Sequence, residues 1–222
     1  MSNAGQRIRA VIFDFGGVLT RSAPSDGFRD MCRELSVTPE ELGQALYGRD
    51  YWRKAQWGEI TAAEYWRLVA AGLGVGLEKL RSAWKRFRGP DVINWDVMQI
   101  VRELRRSCKA AICSNAQDNL RTDSIAHYGI ESFFDEIIVS GAERVAKPDP
   151  RIYRIALERL DCEPEEAVFV DDDPDNVAGA EKVGIRAIRF DDSLPAECLR
   201  ERLREVGAPI EAPPGYPKPG PP

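Results

Sequence analysis

The sequence predicts an α/β fold in which a Rossmann-like parallel sheet carries an inserted all-helical domain, and three observations favour it. Short apolar runs alternate with helical patterns along most of the chain. The stretch 25–89 interrupts this alternation with helix start signals and contains no convincing strand. Polar residues directly follow several apolar runs, as functional residues do at the carboxyl ends of strands in open α/β sheets.

The predicted strands are short runs that are apolar almost throughout, which is typical of parallel strands covered on both faces. Helical patterns separate the later runs, and this spacing indicates βαβ units in a parallel sheet. The runs are Ala10–Phe13, Ala110–Cys113, Glu136–Val139, Ala167–Val170 and Arg186–Phe190.

Helix start signals lie within the interrupting stretch. Thr38 and Thr61 are each followed by acidic residues where the first turn of a helix would lie, a pattern typical of N-caps. The stretch has room for two to four short helices, so we expect a helical insertion between the first strand and the rest of the sheet.

The length and composition fit one α/β domain with an insertion. The 222 residues are 43% apolar, which is ample for a sizeable core. The last residues contain too much Pro and Gly to pack. We expect an α/β core of residues 8–20 and 90–207, a helical cap domain of residues 21–89, and a disordered tail of residues 208–222.

The charge and the cysteines exclude some classes of protein. The net charge of −5 argues against general affinity for nucleic acids or anionic membranes, which select for an excess of Lys and Arg. No N-terminal apolar stretch reaches the length of a signal sequence or a membrane span. The five cysteines are odd in number, scattered and without a CxxC pair, so we expect reduced thiols and a cytoplasmic protein.

The first strand ends in Asp14, which is followed closely by Gly16 and Gly17. This order predicts a carboxylate at the tip of a buried strand, with glycines that allow a tight turn and the close approach of a ligand. The alternative is that Asp14 only caps the next segment and that the glycines only form a turn.

Two further segments carry polar residues that suit an anionic ligand. Ser114 and Asn115 end the second strand with a hydroxyl and an amide, which can hold phosphate or carboxylate oxygens, although an N-cap role for Ser114 is the commoner one. Lys147 precedes Pro148, just before a predicted helix. The alternative for Lys147 is a solvated surface lysine.

Three consecutive carboxylates, Asp171, Asp172 and Asp173, follow another buried run. Their mutual repulsion is costly unless a cation or strong donors compensate it. A hard divalent cation with oxygen ligands is the natural compensation, and Mg²⁺ is the usual one beside phosphate. Helix capping, the alternative, explains one of these acids far better than three.

Together, these segments resemble the haloacid dehalogenase-like hydrolase superfamily, in its members with a helical cap inserted after the first motif. The resemblance covers roughly residues 8–205. It implies that Asp14 is the nucleophile that forms an aspartyl-phosphate and that Ser114 and Asn115 bind the phosphate. It also implies that Lys147 pairs with the nucleophile and the phosphate.

The resemblance also implies a magnesium site. Asp172 aligns with the metal-binding acid of the fourth motif, and Asp14 and the Gly16 carbonyl complete the implied ligand set. Asp171 occupies a neighbouring position that is often Gly in the family. The substrate implied is a small phosphorylated metabolite, and the implied assembly is a monomer or a homodimer.

One departure from the family pattern concerns Gly16. Family phosphatases usually carry a second Asp there, which protonates the leaving oxygen and contributes ~10²–10⁴ in rate. His127, the only histidine, lies in the helix after the second motif, where we expect a partly buried surface residue.

Three functions therefore stay open. The first is a Mg²⁺-dependent phosphatase of a small metabolite with a good leaving group, such as a sugar 1-phosphate or an acyl phosphate. The second is a 2-haloacid dehalogenase in which Asp14 attacks carbon, so that Gly16 does no harm, although such enzymes use no metal. The third is a binding protein without catalysis. Within the insertion, Trp52, Trp57, Tyr65 and Trp66 either line a substrate pocket or, more commonly at this spacing, form a small core.

Overall fold

The structure is a computed structural model that describes residues 7–22, 26–87, 91–191 and 193–210. The strands are β1 Ala10–Phe13, β2 Thr20–Ser22, β3 Asp91–Ile93, β4 Lys109–Ser114, β5 Glu136–Val139, β6 Ala167–Asp171 and β7 Arg186–Arg189. The helices are α1 Gly27–Leu35, α2 Pro39–Leu46, α3 Tyr51–Gln56, α4 Ala62–Leu73, α5 Leu77–Phe87, α6 Trp95–Leu104, α7 Ala126–Tyr128, α8 Ser140–Glu143, α9 Pro150–Leu160, α10 Pro174–Lys182 and α11 Ala196–Glu205. Each strand expected from the sequence is present, with ends within one residue of the expected ones.

A parallel sheet in the order β5-β4-β1-β6-β7 forms the centre of the fold. β1 lies in the middle, and Ile12 pairs with Ala111 of β4 on one side and with Phe169 of β6 on the other. All four residues of β1 are buried, which explains its unbroken apolar run. The prediction of a Rossmann-like α/β fold is confirmed.

The two faces of the sheet carry separate hydrophobic clusters, because successive side chains of a strand point to opposite faces. Val11 and Phe13 of β1 belong to the cluster that includes residues of α6 and α11. Ala10 and Ile12 belong to the cluster that includes residues of α9 and α10. Helices on both faces thus fix β1, and with it the position of Asp14 at its end.

The helices of the insertion form a third hydrophobic cluster of their own. Within residues 26–87 there are five helices, α1 to α5, rather than the two to four expected. The N-caps at Thr38 and Thr61 are confirmed, since both form capping boxes, with Glu41 and Glu64. The sequence carries no capping-box signal for α3, which has six residues and no side-chain hydrogen bond at its N-cap.

A short antiparallel ribbon joins the two ends of the insertion. β2 pairs with β3, with Thr20 opposite Ile93, and this pairing was not expected from the sequence. Strands of three residues are too short to show an alternating pattern. The ribbon brings the chain back to the sheet directly before α6.

The packed part of the chain extends further toward the C-terminus than the sequence indicated. Ala208 and Ile210, which were expected to lie in the disordered tail, are buried against the core, because both side chains are apolar. Residues 211–222 lie outside the described residues, so their disorder stays a prediction. Across the described ranges, no helix combines the length and the apolar character needed to cross a membrane. All five cysteines are free thiols.

Candidate active site

Asp14 lies at the carboxyl end of β1, where the chain enters an irregular turn over Phe15–Leu19. Its backbone N–H donates to the Val170 carbonyl at 2.8 Å, which continues the pairing between β1 and β6. Its Oδ1 accepts a hydrogen bond from the Phe15 N–H at 2.7 Å. Asp14 thus does cap the following turn, as the alternative reading proposed, but its carboxylate has a second, charged partner.

That partner is Lys147. Its Nζ lies 3.0 Å from Asp14 Oδ1 and 2.7 Å from Asp171 Oδ2, and its side chain is fully buried. Burial alone would lower the pKa of Lys147, but the Asp14 and Asp171 carboxylates outweigh it and raise that pKa, so the amine stays protonated. Lys147 is therefore not the solvated lysine of the alternative reading.

The pKa of Asp14 is raised to about 6, because burial outweighs the opposing effect of the Lys147 ammonium. The nearby charge of Asp171 raises it further. A nucleophilic carboxylate must be ionised, and the Lys147 ammonium beside Asp14 favours that form.

Asn115 holds the backbone at Lys147. Its Oδ1 accepts from the Lys147 N–H at 2.8 Å, and its Nδ2 donates to the Lys147 carbonyl at 2.9 Å. The side chain that was expected to contact phosphate directly is thus engaged with the main chain of Lys147, so it positions the lysine. Ser114 is buried at the end of β4, the neighbour of β1, and no helix begins there that it would cap.

The three consecutive acids after β6 have three different environments. Asp171 is fully buried, pairs with Lys147, and accepts from Asn176 Nδ2 at 3.1 Å. Asp173 is exposed and caps α10, because its Oδ1 accepts from the Asp175 N–H at 2.8 Å. Asp172 is half-buried, and burial, aided by the charge of Asp171, raises its pKa.

The donor chemistry at this edge of the sheet fits a hard divalent cation. Asp14, Asp171 and Asp172 each place a carboxylate oxygen within 4.8 Å of the others. The Lys147 ammonium neutralises only part of their charge, and oxygen ligands of this kind are those that Mg²⁺ prefers. The expected ligand set named Asp14, Gly16 and Asp172, and the acidic cluster also includes Asp171, whose Oδ2 pairs with Lys147.

The two glycines of the turn differ in whether their positions could accept a side chain. Gly17 has a φ of +71°, and a Cβ there would lie 2.8 Å from Asp172 Cγ. Only glycine allows this turn to approach Asp172 so closely. Gly16 has a φ of −71°, and a Cβ there would meet no atom within 4 Å.

The helical insertion contacts the loop after β4 through polar groups. Gln56 Nε2 donates to the Asn115 carbonyl at 2.8 Å. The Ser140 hydroxyl donates to the Gln56 carbonyl at 2.6 Å, accepts from the Ala116 N–H at 3.0 Å, and also lies 3.2 Å from the Ala116 carbonyl. Ser140 directly follows β5, so the rule about polar residues at strand ends would have found it.

Backbone atoms of the insertion and the core also approach closely. A Cβ on Gly58 would lie 2.4 Å from the Gly141 carbonyl oxygen. A Cβ on Gly141 would lie 2.8 Å from the carbonyl oxygens of Ala55 and Ala116. The insertion therefore rests directly on Gly141 of α8, which also touches the segment that follows Asn115.

Tyr65 and Trp66 belong to the small core of the insertion and Trp52 packs against it, which was the commoner of the two alternatives. Tyr65 is fully buried in the helical cluster, and its hydroxyl donates to the Leu46 carbonyl. Trp57 is 46% exposed. Trp52 and Trp66 line a small cavity against the core. His127 is exposed, more so than expected.

Comparison with known proteins places the chain in a family. Residues 8–184 match the haloacid dehalogenase-like hydrolase family. The chain belongs to this family. It is 38% identical to the glyceraldehyde 3-phosphate phosphatase of Methanopyrus kandleri over 201 residues, which cover 82% of this chain and 84% of that protein.

Other relatives show the range of chemistry within the family. The phosphoserine phosphatase of Thermus thermophilus is 35% identical over 94 residues, 42% of this chain and 38% of that protein. (S)-2-haloacid dehalogenase 4A of Burkholderia cepacia is 24% identical over 82% of this chain and 83% of that protein. A family enzyme of Bacteroides thetaiotaomicron, solved with magnesium and inorganic phosphate, has the same fold, with a TM-score of 0.69 at 21% identity, over 86% of this chain and 98% of that chain.

Proposed function

We propose that this hydrolase is a Mg²⁺-dependent phosphatase of a small phosphorylated metabolite, with Asp14 as the nucleophile. The observation that carries the proposal is the cluster of Asp14, Asp171 and Asp172 around the buried Lys147 ammonium. A dehalogenase needs no metal, so in such an enzyme the repulsion among three carboxylates would destabilise the site without serving the reaction. The glyceraldehyde 3-phosphate phosphatase and the phosphoserine phosphatase among its relatives support this choice.

The reaction would run in two displacements. A carboxylate oxygen of Asp14 attacks the phosphorus, the bond from phosphorus to the ester oxygen breaks, and the leaving oxygen takes up one proton. Water then attacks the phosphorus and gives up one proton, the bond between phosphorus and Asp14 breaks, and orthophosphate leaves. Lys147 would offset negative charge next to the attacking oxygen in both steps.

Asp14, the Gly16 carbonyl and Asp172 would hold the Mg²⁺, with Asp171 close by. The ion would supply positive charge to the phosphoryl oxygens. Asp171 would hold Lys147 in place, and Asn115 would fix the backbone of the same lysine. Ser114 would contact the phosphate at the end of β4.

The absence of a carboxylate at Gly16 restricts the substrate class. Asp173 does not replace it, because its carboxylate caps α10. A leaving oxygen that departs without a positioned acid must carry its own negative charge. We therefore propose substrates with good leaving groups, such as sugar 1-phosphates or acyl phosphates.

The test is a panel of metabolite phosphates with and without Mg²⁺, run beside 2-chloropropionate with halide detection. Phosphate release that requires Mg²⁺ and disappears in Asp14→Asn supports the phosphatase. Halide release without metal would establish the dehalogenase instead. This function is the second candidate because a halide leaves without protonation, so that chemistry needs no acid at Gly16. If neither product forms, the fold serves as a binding protein.

A further inference from the structure

A small cavity of about 120 Å³ lies between the helical insertion and the segment that follows β4. We propose that it binds an uncharged planar ring with one hydrogen-bond acceptor, carried by the alcohol part of the substrate. This inference rests on the proposed phosphatase function and narrows its substrate class. The lining residues used below are Trp52, Trp66, Trp84, Gln117, Asn119 and Asp123.

Gln117 provides the first observation. It is 7% exposed, and its Nε2 is buried with no hydrogen-bond partner anywhere in the described ranges. A buried donor without a partner is costly, and native structures contain few of them. A carbonyl oxygen or ring nitrogen of a ligand in the cavity would satisfy this donor.

The aromatic lining provides the second observation. Trp52, Trp66 and Trp84 come from three helices of the insertion, and the rings of Trp66 and Trp84 lie 5.0 Å apart. Flat aromatic side chains favour the burial and stacking of another planar ring. Trp66 belongs to the helical cluster and Trp52 and Trp84 pack against it, so the same three residues that complete this core also line the cavity.

The charges around the cavity favour a neutral ring over an ion. Asp123 is the ionisable residue that lines the cavity. The Oδ2 atom of Asp123 accepts a hydrogen bond from Asn119 Nδ2 at 2.8 Å. No cation lines the cavity among the described residues, so it does not suit a phosphate. The Gln117 amide donor needs an acceptor on the ligand, which an ammonium group lacks.

The position of the cavity allows it to serve the proposed active site. Gln117 follows Asn115 by two residues, so their Cα atoms lie within about 8 Å of each other. β4 is paired with β1, with Ile112 opposite Phe13, which puts Asp14 beside the end of β4. A phosphate ester held at Asp14 can thus extend its alcohol part along the loop after β4.

The size of the cavity decides how much of the substrate it takes. Sites for whole small molecules measure about 300–1,000 Å³. At about 120 Å³ this cavity accepts part of a ligand, such as one ring, and leaves the phosphate outside.

The experiment compares 3-acetylphenyl phosphate with 3-ethylphenyl phosphate, which have similar shapes but differ in the acceptor. Both are measured with Mg²⁺ on the wild type, on Gln117→Leu and on the control Trp95→Leu, which replaces a tryptophan that is 57% exposed outside the cavity. Leaving-group effects cancel when each compound is compared with itself across the variants. Gln117→Leu should reduce the preference in kcat/KM for the acetyl compound by about 5- to 10-fold, and Trp95→Leu should not.

A binding measurement that needs no catalysis separates the two proposals. Quenching of tryptophan fluorescence should show that 3-hydroxyacetophenone binds more tightly than 3-ethylphenol, and Trp84→Leu should weaken both. Acetyl phosphate, which has no ring, should be hydrolysed equally by the wild type and the control Trp95→Leu, and it reports the phosphatase independently of the cavity. If acetyl phosphate is hydrolysed but neither preference appears, the cavity proposal is wrong and the phosphatase stands.

If no phosphate ester is hydrolysed while the ring compounds bind in the order given, the proposed phosphatase function is wrong and the cavity is a ligand site of another activity. Tighter binding of choline than of either ring would also overturn the inference, because the cavity would then be a cation site. Thermal unfolding of Gln117→Leu controls for folding. Its melting temperature should stay the same or rise, since the variant removes an unpaired buried donor.

Discussion

Lys147 Nζ lies 2.7 Å from Asp171 Oδ2, and both side chains are fully buried. The distance from the same nitrogen to Asp14 Oδ1 is 3.0 Å, so the lysine has two carboxylate partners. Asp171 is the nearer of them, although the sequence pointed to Asp14. The pair holds a positive charge beside the proposed nucleophile before any substrate binds.

Replacement of Lys147 by Met should destabilise the protein. The variant leaves Asp14 and Asp171 buried without their counter-charge, and the loss of one partner of a buried ion pair typically costs about 3–5 kcal/mol. Urea denaturation of the metal-free protein measures this change as a lower free energy of unfolding. Activity should be lost at the same time, because the charge next to Asp14 is gone.

The double variant Lys147→Met/Asp171→Asn provides the matched control for stability. Because it removes one of the uncompensated carboxylates, it should recover a part of the lost free energy but none of the activity. If Lys147→Met unfolds at the same urea concentration as the wild type, the buried ion pair does not exist in solution.

Asp172→Ala should abolish Mg²⁺ binding, because it removes a carboxylate from the proposed site. In the wild type, Mg²⁺ should raise the melting temperature, since a ligand that binds only the folded state stabilises it. Asp173→Ala is the control: it should lose about 1 kcal/mol of stability with the cap of α10 and keep its metal affinity. Calorimetry that finds equal Mg²⁺ affinity in Asp172→Ala and the wild type would remove this residue from the site.

Turnover should depend steeply on the pKa of the leaving group, because Gly16 supplies no acid. Acyl and aryl phosphates should react much faster than alkyl phosphates. Gly16→Asp should raise the rate for alkyl phosphates by at least about tenfold and flatten the dependence. The backbone accepts a side chain here, since φ is ordinary and a Cβ meets no atom within 4 Å.

Two variants of the same turn serve as controls for Gly16→Asp. Gly16→Ala should leave both the rate and its leaving-group dependence as in the wild type. Gly17→Ala should lose activity and metal affinity, because its Cβ would lie 2.8 Å from Asp172 Cγ in a strained conformation. A wild type whose chemical step ignores the leaving group would mean that a side chain of the insertion already donates the proton.

Gly141→Ala should separate the insertion from the core. Its Cβ would lie 2.8 Å from the carbonyl oxygens of Ala55 and Ala116, and such backbone atoms do not move cheaply. Because small displacements of positioning groups cost up to about 10²-fold, we expect kcat/KM to fall by at least about tenfold. Gly43→Ala, in α2, is the control: it meets no atom within 4 Å and should stabilise the protein by roughly 0.5–1 kcal/mol without loss of activity.

The strands, and the sheet edge at which the candidate site residues meet, were predictable from the sequence because each signal is local. β1 and β6 are unbroken apolar runs, and the polar residue that ends each run is brought to one edge by parallel pairing. The capping boxes at Thr38 and Thr61 are likewise signals within four residues. The resemblance to the family then supplied roles for these residues.

The different roles of the three consecutive acids were not predictable from the sequence. Asp171, Asp172 and Asp173 are chemically identical in the sequence, and only the fold decides that the first meets Lys147 and the last caps α10. The role of Asn115 depends in the same way on a long-range contact, with a backbone 32 positions further along the chain. Such contacts leave no pattern in a single sequence.

The Ser140 hydroxyl has one proton and two acceptors within reach, the Gln56 carbonyl at 2.6 Å and the Ala116 carbonyl at 3.2 Å. An opening of the insertion would remove the first acceptor, and the hydroxyl could then turn its proton to the second. Opening therefore leaves no buried donor without a partner at this contact, which keeps its energetic cost low. The amide hydrogen of Ala62, which is bonded to Asp118 Oδ1 across the same boundary, would lose its acceptor on opening and report it through exchange with solvent.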